Sequence, residues 1–185
     1  MKIGIDISQL AYENTGVSNY LKNLLENLGK IDQKNDYILF FSSMRNSPPN
    51  LHLPQNFELK VFKIPPTVLD FIWNKLHILP IEWLIGKFDI FITSDWTEPP
   101  SRLKKATILY DLIVYKYPEE THSKTEFNPF KFLISPNIVA SQKRKLKWVK
   151  KESSLVICIS KATANDAKEI LKIDEEKMKV IYSGF

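Results

Sequence analysis

Apolar segments of strand length alternate with stretches of helical spacing, and this alternation limits the possible folds more than any other feature. The segments are residues 2–7, 37–42, 58–64, 88–93, 106–110, 155–159 and 178–182. The first is nearly all apolar, as a strand buried on both faces of a parallel sheet should be. Strands that alternate with helices are typical of repeated βαβ units. We therefore predict an α/β protein built on a parallel sheet flanked by helices.

Four stretches between these strands have the spacing of helices. Apolar residues from Val17 to Leu28 follow the i, i+3, i+4, i+7 rule, and Gly29 is placed to end that helix. A second helical pattern, over residues 67–87, must break or kink at Pro80. The two later helices are predicted from Pro129 or Pro136 to about residue 151, and over residues 161–171.

The composition is that of one ordinary globular domain spanning residues 1–185, with 26 basic and 21 acidic side chains. A single cysteine, Cys158, excludes an internal disulfide and a thiolate zinc site. We expect it to be a small core residue within its strand. The three histidines show no metal-ligand spacing, so no metal site is predicted.

Several functional classes are disfavoured by the absence of their motifs. The most hydrophobic stretch, residues 68–92, is interrupted by charges and a proline, so it is not predicted to span a membrane. The apolar start of the chain is too short for a signal core, and we expect a cytoplasmic protein. Neither G-x-G-x-x-G nor G-x-x-x-x-G-K-[ST] occurs, which argues against nicotinamide dehydrogenases and P-loop NTPases.

Residues that follow the strands are the candidates for a binding site, because ligands of open α/β sheets lie beyond the carboxyl ends of the strands. At Gly16 the backbone could approach a ligand closely, and the helix that follows offers free N–H groups to an anion. Asp111 stands directly after a buried strand, and Ser160 is a natural helix N-cap. The candidate set is Thr15, Gly16, Asp95, Glu98, Tyr110, Asp111, Ser160 and Lys161.

Three of these candidates have a purely structural alternative. Gly16 could be only a turn glycine. Asp111 could only cap its loop, and Ser160 could only cap its helix. The residues alone leave these alternatives open.

Residues 139–151 carry six basic side chains, no acid and one tryptophan. One interpretation is a solvated helix face. The other is attraction to anionic lipid headgroups or another polyanion. Nucleic acid is disfavoured because the aromatic residues are not interleaved along a strand platform. The candidate membrane-binding residues are Lys143, Arg144, Lys147, Trp148, Lys150 and Lys151.

Taken together, the segments resemble the N-terminal half of a family 4 retaining glycosyltransferase of GT-B architecture. The resemblance spans nearly the whole chain, and it is the order and spacing of the motifs that make it specific. The matching segments are residues 1–6 (MKIGID) with 15–21 (TGVSNYL), residues 88–91 (FDIF), residues 109–112 (LYDL) with 117–119 (YPE), and residues 155–161 (LVICISK) with 174–184 (DEEKMKVIYSG).

The resemblance implies a Rossmann-like domain that holds the acceptor, in an enzyme that transfers a sugar from a nucleotide-sugar donor with retention. By the same analogy Gly16 lines the cleft near the donor diphosphate, and the acceptor is a glycan or a lipid-linked sugar. Tyr110 stands where many members have a histidine, and a phenol cannot act as an imidazole base near neutral pH. Asp111 would then orient the loop or an acceptor hydroxyl. No metal or other cofactor is implied.

The donor motif of the family, E-x7-E, belongs to a C-terminal domain, and no two glutamates here have that spacing. The resemblance therefore implies half an enzyme, whose partner is a separate donor-binding domain and which is inactive alone. A location at the inner face of the membrane would follow from the basic segment. The alternative is a binding module that has lost catalysis.

Overall fold

The computed structural model describes residues 1–94, 96–117 and 138–183. In this part of the chain seven strands, all parallel, form one sheet in the order β3-β2-β1-β4-β5-β6-β7. The predicted α/β class and each predicted strand are confirmed, and the fold is Rossmann-like. The strands are β1 Lys2–Asp6, β2 Asp36–Ser42, β3 Phe57–Phe62, β4 Ile90–Thr93, β5 Lys104–Leu109, β6 Leu155–Cys158 and β7 Met178–Val180.

Helices connect the strands and flank the sheet. The α-helices are α1 Gly16–Ile31, α2 Pro66–Leu69, α3 Glu82–Ile85, α4 Ile113–Lys116, α5 Ile138–Glu152 and α6 Lys161–Glu169. A π-helical segment, Asp70–Leu76, continues α2, and short 3-10 turns cover Ser8–Ala11 and Glu175–Lys177. Pro129, Pro136 and the YPE motif after Tyr117 lie outside the described residues.

The prediction that Gly29 ends the first helix is wrong, because α1 continues to Ile31. A Cβ at Gly29 would lie 2.9 Å from the Cδ atom of Pro54, closer than atoms pack. The glycine therefore lets the loop around Pro54 approach the helix, which is a packing requirement that local sequence does not reveal.

The predicted break within residues 67–87 is confirmed, but it begins before Pro80. Helical structure ends at Leu76, and His77 and Leu79 adopt left-handed backbone conformations, with φ of 55° and 66°. A residue with a left-handed backbone conformation at the C-terminus of a helix turns the chain away from the helix axis. The buried Trp73 holds the turn, since its indole N–H donates to the carbonyl of Leu79 at 3.0 Å.

Both faces of the sheet are covered, as a parallel sheet requires. On one face α1 packs Leu21 and Leu25 against β1 and β2. On the other, Trp73 and Ile85 pack against Phe40 and its neighbours. A third cluster joins α5 and α6 to β6. The connections that lead from the strands to the following helices lie together at the carboxyl edge of the sheet.

The prediction that Cys158 is a core residue is confirmed, because its side chain is fully buried in β6. Burial also raises the pKa of its thiol to about 11, so only about a thousandth of it is ionised at pH 8. We expect iodoacetamide to modify Cys158 in the native protein at a small fraction of its rate in the protein unfolded in urea. Mass spectrometry measures the extent of modification over time. Modification of the native protein at the rate of a free thiol would contradict this core position.

Candidate functional site

The strand order reverses at β1, which lies between β2 and β4. Ile5 of β1 pairs with Leu39 on one side and with Ile92 on the other. Connections leave the sheet towards opposite faces at such a reversal, so a crevice opens beyond the carboxyl ends of the two strands. The candidate site lies along this edge.

α1 begins at the crevice with a capped but open N-terminus. The hydroxyl of Thr15 accepts a hydrogen bond from the backbone N–H of Ser18 at 3.1 Å, which satisfies one donor of the first turn. Gly16 is exposed, its φ is not positive, and no atom lies within 4 Å of the position that a Cβ would take. Neither turn geometry nor packing therefore requires a glycine here, so the turn-glycine alternative loses its support.

Tyr110 lies at the junction of three elements. Its hydroxyl and that of Ser94, which follows β4, are 3.2 Å apart. Its ring meets that of Tyr20 in α1 edge to face, with ring centroids 5.6 Å apart. Its carbonyl accepts a hydrogen bond from the hydroxyl of Thr163 in α6 at 2.9 Å. The half-buried phenol is thus held in one orientation at the centre of the edge.

Asp111 and Ser160 both make the hydrogen bonds expected of a purely structural cap. Oδ1 of the exposed Asp111 accepts a hydrogen bond from the N–H of Ile113 at 3.0 Å, so it caps its loop. The Ser160 hydroxyl accepts one from the N–H of Thr163 at 3.0 Å, which confirms it as the N-cap of α6. Lys161 follows it and is exposed. These contacts orient the groups without blocking a ligand's approach to Asp111 or Lys161.

Beneath the crevice lies a buried carboxylate, Asp6, at the end of β1. Burial raises the pKa of Asp6, and this outweighs the hydrogen bonds from Ser8 and the charge of Lys145, which act in the opposite direction. The N–H of Ser8 donates to Asp6 Oδ1 at 2.9 Å. Lys145 is 2% exposed, and its ammonium donates to the carbonyl of Ser94. The floor of the crevice therefore contains both a carboxylate and an ammonium group.

The prediction that Glu98 contacts a substrate must be corrected. Its side chain is fully buried, and its carboxylate forms an ion pair with Lys105 at 2.9 Å. The hydroxyl of Thr93 donates to its other oxygen at 2.7 Å. Because both oxygens are engaged inside the fold, Glu98 is a structural residue. Asp95 lies outside the described residues, so its predicted role stays a prediction.

The ammonium of Lys105 also contacts a second carboxylate, that of Glu152, at 2.9 Å. Oε1 of Glu152 lies 2.8 Å from Nε2 of His77. Burial disfavours the ionised form of Glu152, but the hydrogen bonds and charges of Lys105 and His77 outweigh it and lower its pKa. This chain of charges joins β5, α5 and the turn after the π-helical segment.

The predicted basic set on α5 is divided between two environments. Lys143, Lys147, Lys150 and Lys151 are exposed. In contrast, Arg144 pairs with Asp70 at 3.1 Å, and Trp148 stacks on His77 with ring centroids 3.6 Å apart. Arg144 and Trp148 therefore attach α5 to the π-helical segment, and neither is simply part of a solvated face.

Sequence reasoning missed the buried cations Lys105 and Lys145. Lys105 stands at the start of an apolar strand, which gives no sign that it pairs with Glu98. A signal for Lys145 was present, because it lies four residues before Val149 and next to Leu146, on the apolar side of α5. Ser94 lies in the same stretch after β4 as Asp95 and Glu98, but its contacts with Tyr110 and Lys145 depend on the tertiary structure.

Among residues 1–94, 96–117 and 138–183 no group of three or more potential ligand side chains is arranged to hold a metal ion. Over the same residues, no helix combines the length and apolar character needed to cross a bilayer. Neither protein-family models nor curated proteins match the chain.

Proposed function

We propose that this chain is the acceptor-binding half of a retaining glycosyltransferase, which transfers a sugar from a nucleotide-sugar donor to a glycan or lipid-linked acceptor. One observation carries the proposal. Tyr110, Tyr20, Ser94 and Thr163 come from four separate segments and meet at the carboxyl edge, beside the strand-order reversal. That edge is where sheets of this type bind ligands.

Tyr110 is the candidate group for contact with the transferred sugar. A phenol fixed by Ser94 can exchange hydrogen bonds with a sugar hydroxyl, both as donor and as acceptor. It is a poor base at neutral pH, so its role is to orient the sugar rather than to remove a proton. The exposed carboxylate of Asp111 can accept a hydrogen bond from an acceptor hydroxyl that enters from solvent.

The N-terminus of α1 is the candidate contact for the donor diphosphate. Gly16 leaves open space there, and the first turn of a helix directs free N–H groups and the positive end of its dipole outwards. Lys161 at the start of α6 adds a cation on the same edge. Charge of the diphosphate would be offset by these groups without a metal ion, and a separate donor-binding domain would close the cleft.

The function is tested by mixing the chain with a separately expressed GT-B donor-binding domain and a set of nucleotide sugars. Sugar transfer or donor hydrolysis that appears only in the mixture supports the proposal. The alternative, a binding module without catalysis, is favoured by Tyr110 in place of histidine. It predicts saturable binding of a glycan by the chain but no turnover in any mixture.

The variant Gly16→Ala tests whether Gly16 contacts a ligand or has only a structural role. Because nothing packs against the added methyl group, we expect stability to be unchanged or higher by about 0.5 kcal/mol. If the diphosphate lies against this turn, the same methyl group should weaken binding of a nucleoside diphosphate, measured by NMR titration, by about tenfold or more. Asn23→Ala, exposed further along α1, is the matched control. Equal binding by all three proteins would remove Gly16 from the site.

A further inference from the structure

The outer side of residues 66–78 is apolar where a surface helix is normally polar. Leu69 and Trp73 face the core, while four large apolar side chains on this segment point to solvent. The exposed fractions are 40% for Val68, 48% for Phe71, 47% for Leu76 and 53% for Ile78. Apolar side chains grouped in this way on a surface indicate an interaction site.

A row of lysines lies beside this apolar strip, because α5 packs along the same segment. The two run in the same direction, as their successive contacts show: Asp70 with Arg144, Asn74 with Trp148 and His77 with Glu152. The exposed side of α5 carries Lys143, Lys147, Lys150 and Lys151. The ammonium of Lys143 lies 5.1 Å from the ring centroid of Tyr115 in α4, so it belongs to a different surface. We call the four apolar side chains, the other three lysines of α5 and Lys75 the docking face.

Two cations lie directly on aromatic rings where the two elements meet. The ammonium of Lys151 is 5.0 Å from the ring centroid of Trp148, whose indole N–H donates to the carbonyl of Asn74 at 2.9 Å. The ammonium of Lys75 is 5.3 Å from the ring centroid of Phe71. The positive charge is therefore in contact with the apolar strip, not on a distant surface.

The docking face is also free of outward negative charge. Asp70 is the acidic residue in the segment 66–78, and Glu152 is the one in the segment 138–152. Both side chains turn inwards. Asp70 accepts hydrogen bonds from Arg144, Asn74 and Ser141, and Glu152 pairs with Lys105 and His77. The surface presented to a partner thus combines apolar side chains with charge of one sign.

We infer that the docking face binds the surface of an anionic lipid bilayer. Aliphatic and aromatic side chains of an interfacial helix enter the boundary between headgroups and acyl chains, while lysines contact the anionic headgroups. Val68, Leu76 and Ile78 favour this occupant over a nucleic acid, because aliphatic side chains offer neither stacking nor phosphate contacts. The inference goes beyond the proposed function and does not depend on it.

The test is flotation of the full chain with vesicles of phosphatidylcholine containing 30% phosphatidylglycerol, or of phosphatidylcholine alone. We expect binding to the anionic vesicles to be at least about tenfold stronger. The triple variant K147E/K150E/K151E should lose most of that preference. Its matched control is K22E/K30E/K179E, which makes the same change in net charge at exposed lysines elsewhere.

Insertion is measured separately with an environment-sensitive dye on Ile78→Cys, since the native Cys158 is buried and should not be labelled. On anionic vesicles the emission should shift to the blue, whereas a dye on Asn23→Cys should remain in water. Circular dichroism checks that each variant is folded.

Three results would overturn the inference. The first is equal binding to both kinds of vesicle. The second is an equal loss of vesicle binding in both triple variants, which would show that only the net charge of the protein matters. The third is salt-sensitive binding to duplex RNA with none to vesicles, which would make the face a polyanion site instead.

Discussion

Replacing Lys105 with methionine is expected to lower the free energy of unfolding by about 3–5 kcal/mol. The side chain is 1% exposed, and its ammonium lies 2.9 Å from a carboxylate oxygen of Glu98 and 2.9 Å from one of Glu152. It also donates to the carbonyl of Pro99 at 2.8 Å. Without it, the fully buried carboxylate of Glu98 keeps its hydroxyl partner but has no cation, and a buried charge without its partner is costly.

Urea unfolding measures this loss, and a double variant identifies its cause. Lys105→Met together with Glu98→Gln removes both charges while it keeps the volume of each side chain. We expect the double variant to be more stable than Lys105→Met alone, since the unpaired charge has gone. A loss below about 1 kcal/mol for the single variant would show that the pair is less important than its burial indicates.

Replacing Trp73 with alanine is expected to cost about 3–5 kcal/mol, the range for truncating a large core side chain. Trp73 is fully buried, and its ring lies 5.5 Å from that of Phe40, centroid to centroid. Truncation also leaves the carbonyl of Leu79 without its indole donor. The turn after the π-helical segment would lose the contact that holds it against the sheet.

Trp83→Ala provides the matched control, because it makes the same chemical change at a side chain that is 65% exposed. We expect it to change stability by no more than about 0.5 kcal/mol. Unfolding should be followed by circular dichroism, since either variant alters tryptophan fluorescence. Similar losses in the two variants would contradict the assigned burial of Trp73.

The π-helical segment connects stability with the inferred membrane contact. Trp73 and Asn74 hold its inner side, and Phe71 and Leu76 lie on its outer side in the docking face. Substitutions on the inner side should therefore affect unfolding, while those on the outer side should affect vesicle binding with little change in stability. The two sets of side chains alternate along the same few residues, so each set serves as a control for the other.

The candidate edge could be anticipated where it depends on strand order along the chain. Tyr110 ends a predicted strand, Asp111 and Ser160 each follow one, and parallel strands bring their carboxyl ends to one edge. The exception is instructive: Glu98 also follows a strand, yet its carboxylate turns inwards to Lys105. Position after a strand predicts the edge on which a residue lies, but it does not predict the direction of the side chain.

Local patterns in the sequence by themselves determined the strands, the α/β class and the helix cap at Ser160. Periodicity and capping act within a few residues, so they can be recognised without knowing the fold. Only the tertiary structure decided which charges are buried and which apolar side chains stay outside. Lys105 meets Glu98 and Glu152, and α5 covers one side of the π-helical segment, through contacts between distant parts of the chain. Charge pairing and burial depend on distances in space, which no spacing along the sequence specifies.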